Sequence, residues 1–167
     1  MKSILISIRP KWVEKIVKGE KTVEVRKTAP KEVPFKAYIY CSYGDMKTNY
    51  YLGGRGKVVG EFICDKVYMS FVVYMKNEPC YWDILDGSCL TKYEMMNYGK
   101  WKTLYGWHIS DLKIYDKPKS IMTFYKPCPI KLGFKNCPCC EFYSTDTGFC
   151  MNQIDRPPQS WCYVEEV

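Results

Sequence analysis

Three charged residues close together in the sequence have side chains suited to act on one ligand. Lys21 follows Gly19 at the end of a predicted helix, and Glu24 and Arg26 alternate along the strand predicted next. Residues two apart on a strand share a face, so the carboxylate and the guanidinium lie side by side. Arginine binds a phosphate or a base edge, lysine neutralises phosphate, and glutamate accepts from an amino group. The pattern predicts a small charged cleft; a solvated strand face with an incidental ion pair is the alternative.

Six of the ten cysteines lie from Cys128 to Cys162, and four of them have a spacing that suits a metal ion. Two residues separate Cys137 from Cys140, so both thiolates can bind one Zn²⁺. Cys128 and Cys150 flank this pair at distances that a loop can close, which predicts a structural zinc site with four thiolate ligands. A reduced cysteine-rich loop without metal is the alternative. Redox chemistry is a third possibility, for which the βαβ context is missing.

The composition indicates a folded domain with a basic surface. The chain has 167 residues, of which 47% are hydrophobic, and this argues against global disorder. Its net charge of +7 favours an anionic partner such as RNA, DNA or a nucleotide, although a merely basic soluble protein has the same charge. No apolar run is long enough to cross a bilayer and no signal peptide is recognisable, so we expect a cytoplasmic protein with no membrane partner.

Short strands with few helices must position the charged residues. Apolar periodicity predicts a helix between Pro10 and Gly19, and strands over 5–8, 22–26, 35–41, 57–69 and 105–115. The strand over 57–69 should bend near Gly60, and a slip of the apolar phase predicts a β-bulge at Ser110–Asp111. The fold class is therefore α+β, with a small mixed β-barrel and flanking short helices.

The domain organisation follows from changes in composition along the chain. Residues 1–125 form the predicted barrel, and residues 76–103 are a largely helical insertion in which Thr91 and Glu94 form a capping box. Residues 126–155 are a Cys-rich C-terminal extension that forms a loop subdomain. Residues 156–167 are an extended tail, because two prolines forbid a helix, followed by a final strand that returns to the barrel.

Other candidate residues lie outside the charged stretch. Tyr50, Tyr51 and Arg55 belong to a polar, glycine-rich loop, where aromatic rings interleaved with cations can stack on bases and contact phosphates. Tyr38 and Tyr40 of the preceding strand can instead fill the barrel, whereas a loop buries its rings less easily, so Tyr50 and Tyr51 are the better candidates for stacking. His108 faces away from the core side of its strand and is predicted to be a surface or pocket-wall hydrogen bonder, rather than a base or metal ligand.

Several of these stretches resemble ASCH domains, which belong to the PUA-like group. The N-terminal signature of that family is similar to the following residues of this chain: Ser7–Trp12, Ile16, Gly19, Lys21, Glu24 and Arg26. Gly56–Phe62 resembles the glycine-bearing strand that follows in the family. Trp107–Leu112 and Arg156–Glu166 are similar to ASCH proteins carried by phages and prophages of Gram-positive bacteria.

The resemblance implies a PUA-like β-barrel whose cleft beside the first helix binds RNA, DNA or a modified nucleobase. The binding residues are then Ser7, Arg9, Lys21, Glu24, Arg26, Tyr50, Tyr51 and Arg55. Some small relatives resemble amidohydrolases of acylated cytidine that use a lysine, a threonine and a glutamate. Here Glu24 stands at the position of that threonine, which argues against this amidohydrolase activity. A small hydrolase acting on a nucleoside or nucleic acid is the first alternative, with Lys21 as general base and Glu24 or Glu61 as its partner. A phage-encoded inhibitor that binds a host protein is a second rival.

Overall fold

The computed structural model describes residues 1–44, 54–75, 78–128, 143–144, 149–150 and 152–166. Its first half contains β1 (Lys2–Ile8), α1 (Pro10–Val17), β2 (Val23–Arg26), β3 (Phe35–Cys41), β4 (Lys57–Cys64) and β5 (Val67–Ser70). The insertion follows with β6 (Val73–Met75), β7 (Glu78–Cys80), α2 (Trp82–Leu85) and α3 (Lys92–Gly99). The remaining strands are β8 (Leu104–His108), β9 (Ser110–Lys119), β10 (Phe124–Tyr125), β11 (Tyr143–Ser144), β12 (Phe149–Cys150) and β13 (Trp161–Glu166).

Two sheets enclose the main hydrophobic core. One has six strands in the order β10-β13-β1-β3-β4-β9, and the other has three in the order β2-β8-β5. Only the β1–β3 pair of the first sheet is parallel, because α1 and β2 lie between these two strands in the chain. Trp107 of β8 packs in this core against Phe35 of β3, with ring centroids 5.2 Å apart.

The expected closed barrel is wrong in one respect. Among the described residues, hydrogen bonding does not close the sheets, since both strands predicted to run unbroken are divided between them. The stretch 57–69 breaks at Asp65–Lys66 into β4 and β5, and the stretch 105–115 breaks at Ile109 into β8 and β9. Strands that change sheets through a bend form corners between two packed sheets, and each such corner interrupts the ladder that a barrel needs.

The predicted bulge lies beside one of these corners, and the predicted irregularity near Gly60 lies within β4. Asp111 has a φ of 46°, and opposite Glu61 to Ile63 of β4 the β9 strand has one extra residue between its own partners Lys113 and Ser110. This is the bulge that the slip in apolar phase predicts. The register of β3 against β4 also shifts beside Gly60, where an added Cβ would lie 2.5 Å from the carbonyl oxygen of Lys113.

The helical insertion covers the outer face of the three-stranded sheet. Val23 and Val25 of β2 point into a second core with Tyr81, Ile84 and Met95. The neighbouring β2 residues, Glu24 and Arg26, therefore point to the opposite face, as the period of two predicts. Thr91 caps α3 through the predicted box, in which its hydroxyl accepts from the backbone N–H of Glu94.

The C-terminal strand lies beside the first strand. β13 pairs antiparallel with β1, with Leu5 opposite Cys162, and the partly buried Cys162 packs against the core cluster that includes Leu5 and Val164. The cysteine-rich stretch 126–155 is described only in part, so its prediction as a subdomain stays untested. None of the described helices is both long enough and apolar enough to cross a membrane.

Candidate functional site

A cleft of about 700 Å³ opens between the first helix, the insertion and the C-terminal tail. Its floor is the face of β2 that carries Glu24 and Arg26, and α1 and α3 form opposite walls. The lining residues come from five parts of the chain: Ser7, Ile8, Arg9, Lys11 and Trp12; Lys21, Glu24, Val25 and Arg26; Tyr40 and Ser42; Leu90, Glu94, Asn97 and Tyr98; and Pro157, Pro158, Gln159 and Ser160.

A buried ionic cluster forms the floor of this cleft. Lys21, Glu24 and Arg26 are 3%, 5% and 8% exposed. Glu24 lies between the two cations, with Oε1 2.9 Å from Arg26 Nη2 and Oε2 3.4 Å from Lys21 Nζ. Ion pairs removed from water interact far more strongly than exposed ones, so the cluster is not the incidental surface pair that the sequence left open.

Lys21 is held by protein atoms on all sides. Its Nζ donates to the carbonyl oxygens of Val23 at 2.8 Å and Ser88 at 2.6 Å, in addition to its contact with Glu24. An ammonium group has three protons; two of them are donated to these carbonyl oxygens, and the Glu24 carboxylate is close enough to form an ion pair. Lys21 therefore joins the insertion to β2, rather than presenting a free ammonium group to a phosphate as the sequence predicts.

Arg26 keeps unused hydrogen-bonding capacity. Its Nη2 donates to the backbone carbonyl of Ser7 at 2.7 Å and contacts Glu24, whereas its buried Nε has no partner among the described residues. A buried donor without an acceptor costs free energy, and a ligand or water oxygen would recover it. The cluster of two cations and one carboxylate also has a net positive charge, which favours an anionic or oxygen-rich ligand.

Aromatic rings and exposed cations stand above the floor. Lys11 Nζ lies 4.1 Å from the centroid of the Trp12 ring and 3.5 Å from Glu94 Oε1, so it connects α1 with α3 across the cleft. On the α3 wall, Lys27 Nζ lies 5.0 Å from the centroid of the Tyr98 ring. Loss of hydration raises the pKa of the Tyr98 hydroxyl, which stays a neutral donor at physiological pH.

The proline-rich stretch 157–160 closes one side of the cleft as an extended strap. Ser7 holds it at two points, because its hydroxyl donates to the Pro158 carbonyl at 2.6 Å and its backbone N–H to the Ser160 carbonyl at 3.0 Å. The indole N–H of Trp161 anchors the following residue to the Thr28 hydroxyl at 3.0 Å. Gln159 is exposed on this strap and lines the cleft.

The structure brings together most of the predicted binding residues that it describes. Ser7, Arg9, Lys21, Glu24 and Arg26 all line the cleft. Arg55 is not among the lining residues, which differs from the prediction, because it lies in the turn before β4. Tyr50 and Tyr51 lie outside the described residues.

Sequence reasoning missed the wall residues. Lys11 and Trp12 belong to the predicted helix and to the stretch that resembles the ASCH signature, but apolar periodicity does not show which side chains of a helix face a cleft. Asn97, Tyr98 and Gln159 reach the cleft only because the insertion and the tail fold back over β2. The capping box and the two prolines located these elements, but neither signal shows what the elements pack against.

Only some of the residues predicted for the catalytic alternative line the cleft. Glu61 is not a lining residue: it accepts hydrogen bonds from Lys36 at 3.2 Å and from the Tyr115 hydroxyl on the six-stranded sheet. Burial opposes ionisation of Glu61, but these hydrogen bonds lower its pKa overall. Thr22 is exposed and packs beside Gly87, so it offers no nucleophile next to Lys21. His108 pairs with Asp65, with 2.7 Å between Nδ1 and Oδ1, as a surface hydrogen bonder.

Two of the described cysteines, Cys41 and Cys64, are buried thiols. Burial raises the pKa of Cys41 to about 11 and that of Cys64 to about 12, so both remain neutral. The predicted zinc ligands lie only partly within the described residues. Cys137 and Cys140 lie outside the described residues, and only the backbone of Cys150 is described. Within the described part of the chain, no three potential ligands converge.

Comparison with known proteins gives a fold but no assigned activity. No protein-family model matches the sequence, and no curated protein is significantly similar to it. The structure is similar to that of an ASCH protein from Zymomonas mobilis, with 16% identity, a TM-score of 0.58, and coverage of 98% of this chain and 88% of that chain. A tyrosine-to-phenylalanine variant of that protein gives the same TM-score over 99% of this chain and 91% of the variant. The overall fold is thus similar to that of these ASCH proteins.

Proposed function

We propose that this chain is an ASCH-type domain whose cleft binds one nucleotide unit of RNA or DNA, or a modified nucleobase. The observation that carries the proposal is the buried Lys21–Glu24–Arg26 cluster at the bottom of a cleft of about 700 Å³. That volume lies within the range of small-molecule sites, roughly 300–1,000 Å³, and suits one nucleotide better than a duplex. The ASCH-like fold supports the same class of ligand.

The charges of the lining residues fit an anionic ligand that has a polar base. Four cationic and two anionic side chains line the cleft. Arg9 and Lys11 lie at the more exposed rim and are suited to contact phosphate, whereas Lys21 supports the floor from within. Glu24 can accept from an exocyclic amino group, and the carboxamides of Asn97 and Gln159 can donate and accept at a base edge.

A binding experiment with mononucleotides and short single-stranded RNA and DNA tests the proposal. Affinity should fall steeply as salt rises, because phosphate contacts release counterions. Arg9→Glu should weaken binding at least about tenfold and lower the slope of log affinity against log salt by about one. Arg9 suits this test because it is exposed and its side chain makes no capping bond to α1.

Lys117→Glu is the matched control, since it makes the same change of charge at an exposed residue of β9 outside the cleft. It should leave the affinity within about twofold of the original protein. No binding to any probe at low salt, or equal losses in both variants, contradicts the proposal. Hydrolysis of a nucleoside is the weaker alternative, because only Lys21 and Glu24 of its candidate residues line the cleft.

We also propose that Cys128, Cys137, Cys140 and Cys150 bind one structural zinc ion. An antiparallel bridge between Tyr125 and Gln153, with a hydrogen bond from Lys126 N–H to the Asn152 carbonyl at 2.8 Å, brings the two ends of this stretch together. Protein purified without chelator should contain about one zinc per chain. Chelation should increase proteolysis within 126–155 and leave the two main sheets folded. Absence of zinc, with proteolysis unchanged by chelator, contradicts this site.

A further inference from the structure

The turn that follows α3 presents a tryptophan to solvent. Trp101 is 62% exposed and lies between two exposed lysines, Lys100 and Lys102. We call residues 99–102 the Trp101 turn. Large aromatic side chains normally supply core packing, so an exposed indole flanked by cations is an unusual use of this residue.

The backbone of the Trp101 turn adopts a conformation that its side chains disfavour. Lys100 has a φ of 49° and Trp101 a φ of 66°, and neither residue is a glycine. Two backbone bonds hold the turn, from Lys100 N–H to the Met96 carbonyl at 2.8 Å and from Lys102 N–H to the Gly99 carbonyl at 3.0 Å. Glycine or asparagine normally ends a helix in this region, whereas a bulky residue there is a true outlier. The backbone of the turn is therefore strained, and the indole of Trp101 is exposed to solvent.

The Trp101 turn is a continuation of the cleft wall. Asn97 and Tyr98 line the cleft, and Trp101 follows Tyr98 by three residues, so their Cα atoms are at most about 11 Å apart. Lys27 Nζ stands over the Tyr98 ring, 5.0 Å from its centroid. The surface leading out of the cleft therefore carries aromatic rings and exposed lysines, as single-strand-binding surfaces do.

We propose that Trp101 stacks on the base of a nucleotide adjacent to the one held in the cleft. The ligand is then a single-stranded nucleic acid, not a free nucleobase and not a duplex, whose bases are already paired and stacked. Lys100 and Lys102 contact the phosphates on either side of the stacked base. This inference rests on the proposed function, because the nucleotide in the cleft sets the register of its neighbour.

The test compares three probes: a mononucleotide, a single-stranded hexanucleotide of the same base, and that hexanucleotide in a duplex. The hexanucleotide should bind more tightly than the other two. Trp101→Ala should weaken hexanucleotide binding about tenfold, which is within the contribution of one base–aromatic stack, and leave mononucleotide binding unchanged. Trp101→Phe should retain most of the affinity, because a phenyl ring still stacks.

Two further variants separate stacking from a structural role. Trp101→Gly relaxes the left-handed backbone, so it should keep or raise the thermal unfolding temperature while it weakens hexanucleotide binding. Phe71→Ala removes an aromatic ring of similar exposure at a site outside the cleft, and should change neither affinity. If the hexanucleotide binds and Trp101→Ala leaves its affinity unchanged, the stacking inference fails while the proposed function stands. If none of the probes binds the original protein at low salt, both fail.

Discussion

Two clusters of this protein use the same chemistry at different depths. On the cleft floor, the carboxylate of Glu24 contacts two cations, and all three side chains are more than nine-tenths buried. On the six-stranded sheet, the carboxylate of Glu61 contacts Lys36 and accepts from Tyr115, and the side chains of Lys36 and Glu61 are 29% and 19% exposed. Solvent screens the second cluster and is excluded from the first. Ion pairs between the same types of residue should therefore have different effects on the free energy of unfolding in the two clusters.

The largest difference should appear when each carboxylate loses its charge. Glu24→Gln leaves two neighbouring buried cations without a counter-charge, and should lower the free energy of unfolding by about 3–5 kcal/mol. Glu61→Gln should lower it by only about 1 kcal/mol, because water and the retained amide oxygen replace much of the interaction. Urea unfolding of both variants measures the difference. Similar losses would mean that the depth of the two clusters has little influence on their stability.

A smaller difference is expected in the interaction energy between the two residues of one ion pair in each cluster. A double-mutant cycle on Glu24 and Arg26 should give an interaction energy of about 1–3 kcal/mol. The equivalent cycle on Lys36 and Glu61 should give less than about 1 kcal/mol, because that pair is partly solvated. The cycles use unfolding free energies at low and high salt. A Glu24–Arg26 coupling that disappears at high salt would show that the floor is accessible to ions.

The pH dependence of the unfolding free energy should also distinguish the Lys36–Glu61 cluster from the cleft floor. Hydrogen bonds in the folded state lower the pKa of Glu61, so its stabilising contribution is present above the unfolded pKa of about 4.3 and is lost as the pH falls through the folded pKa. The difference in unfolding free energy between the original protein and Glu61→Gln should be about 1 kcal/mol or less at pH 7 and shrink below pH 4. A difference that grows as the pH falls would have the wrong sign for a carboxylate of lowered pKa.

The smallest expected signal is catalytic turnover. Because the buried Lys21 ammonium group donates to two backbone carbonyls and pairs with Glu24, and because no threonine of the described residues lines the cleft, hydrolysis of acylated cytidine should stay at the background rate. Release of cytidine measured by chromatography checks this expectation, with Lys21→Ala as the control for any residual rate. Turnover that Lys21→Ala abolishes would make the floor an active site and would reverse the comparison of the two clusters.

Local patterns in the sequence were sufficient to predict the elements and the faces of the charged stretch. Pro10 and Gly19 bound the first helix closely, and the period of two in β2 correctly separates Val23 and Val25 from Glu24 and Arg26. Alternation cannot show where a strand leaves one sheet for another, so the breaks at Asp65–Lys66 and Ile109 were not foreseen. Both halves of such a strand keep their buried face, and hydrophobic periodicity continues through the corner.

The burial of the charges was decided by the tertiary structure. Residue types and spacing already place Lys21, Glu24 and Arg26 on one turn and one strand, because those relations are set by neighbouring backbone geometry. Whether they form a solvated face or a buried floor depends on α3, Ser88 and the strap at 157–160, which lie far away along the chain. Packing between distant segments removes the water that would otherwise screen the charges, and no local pattern in the sequence records that removal.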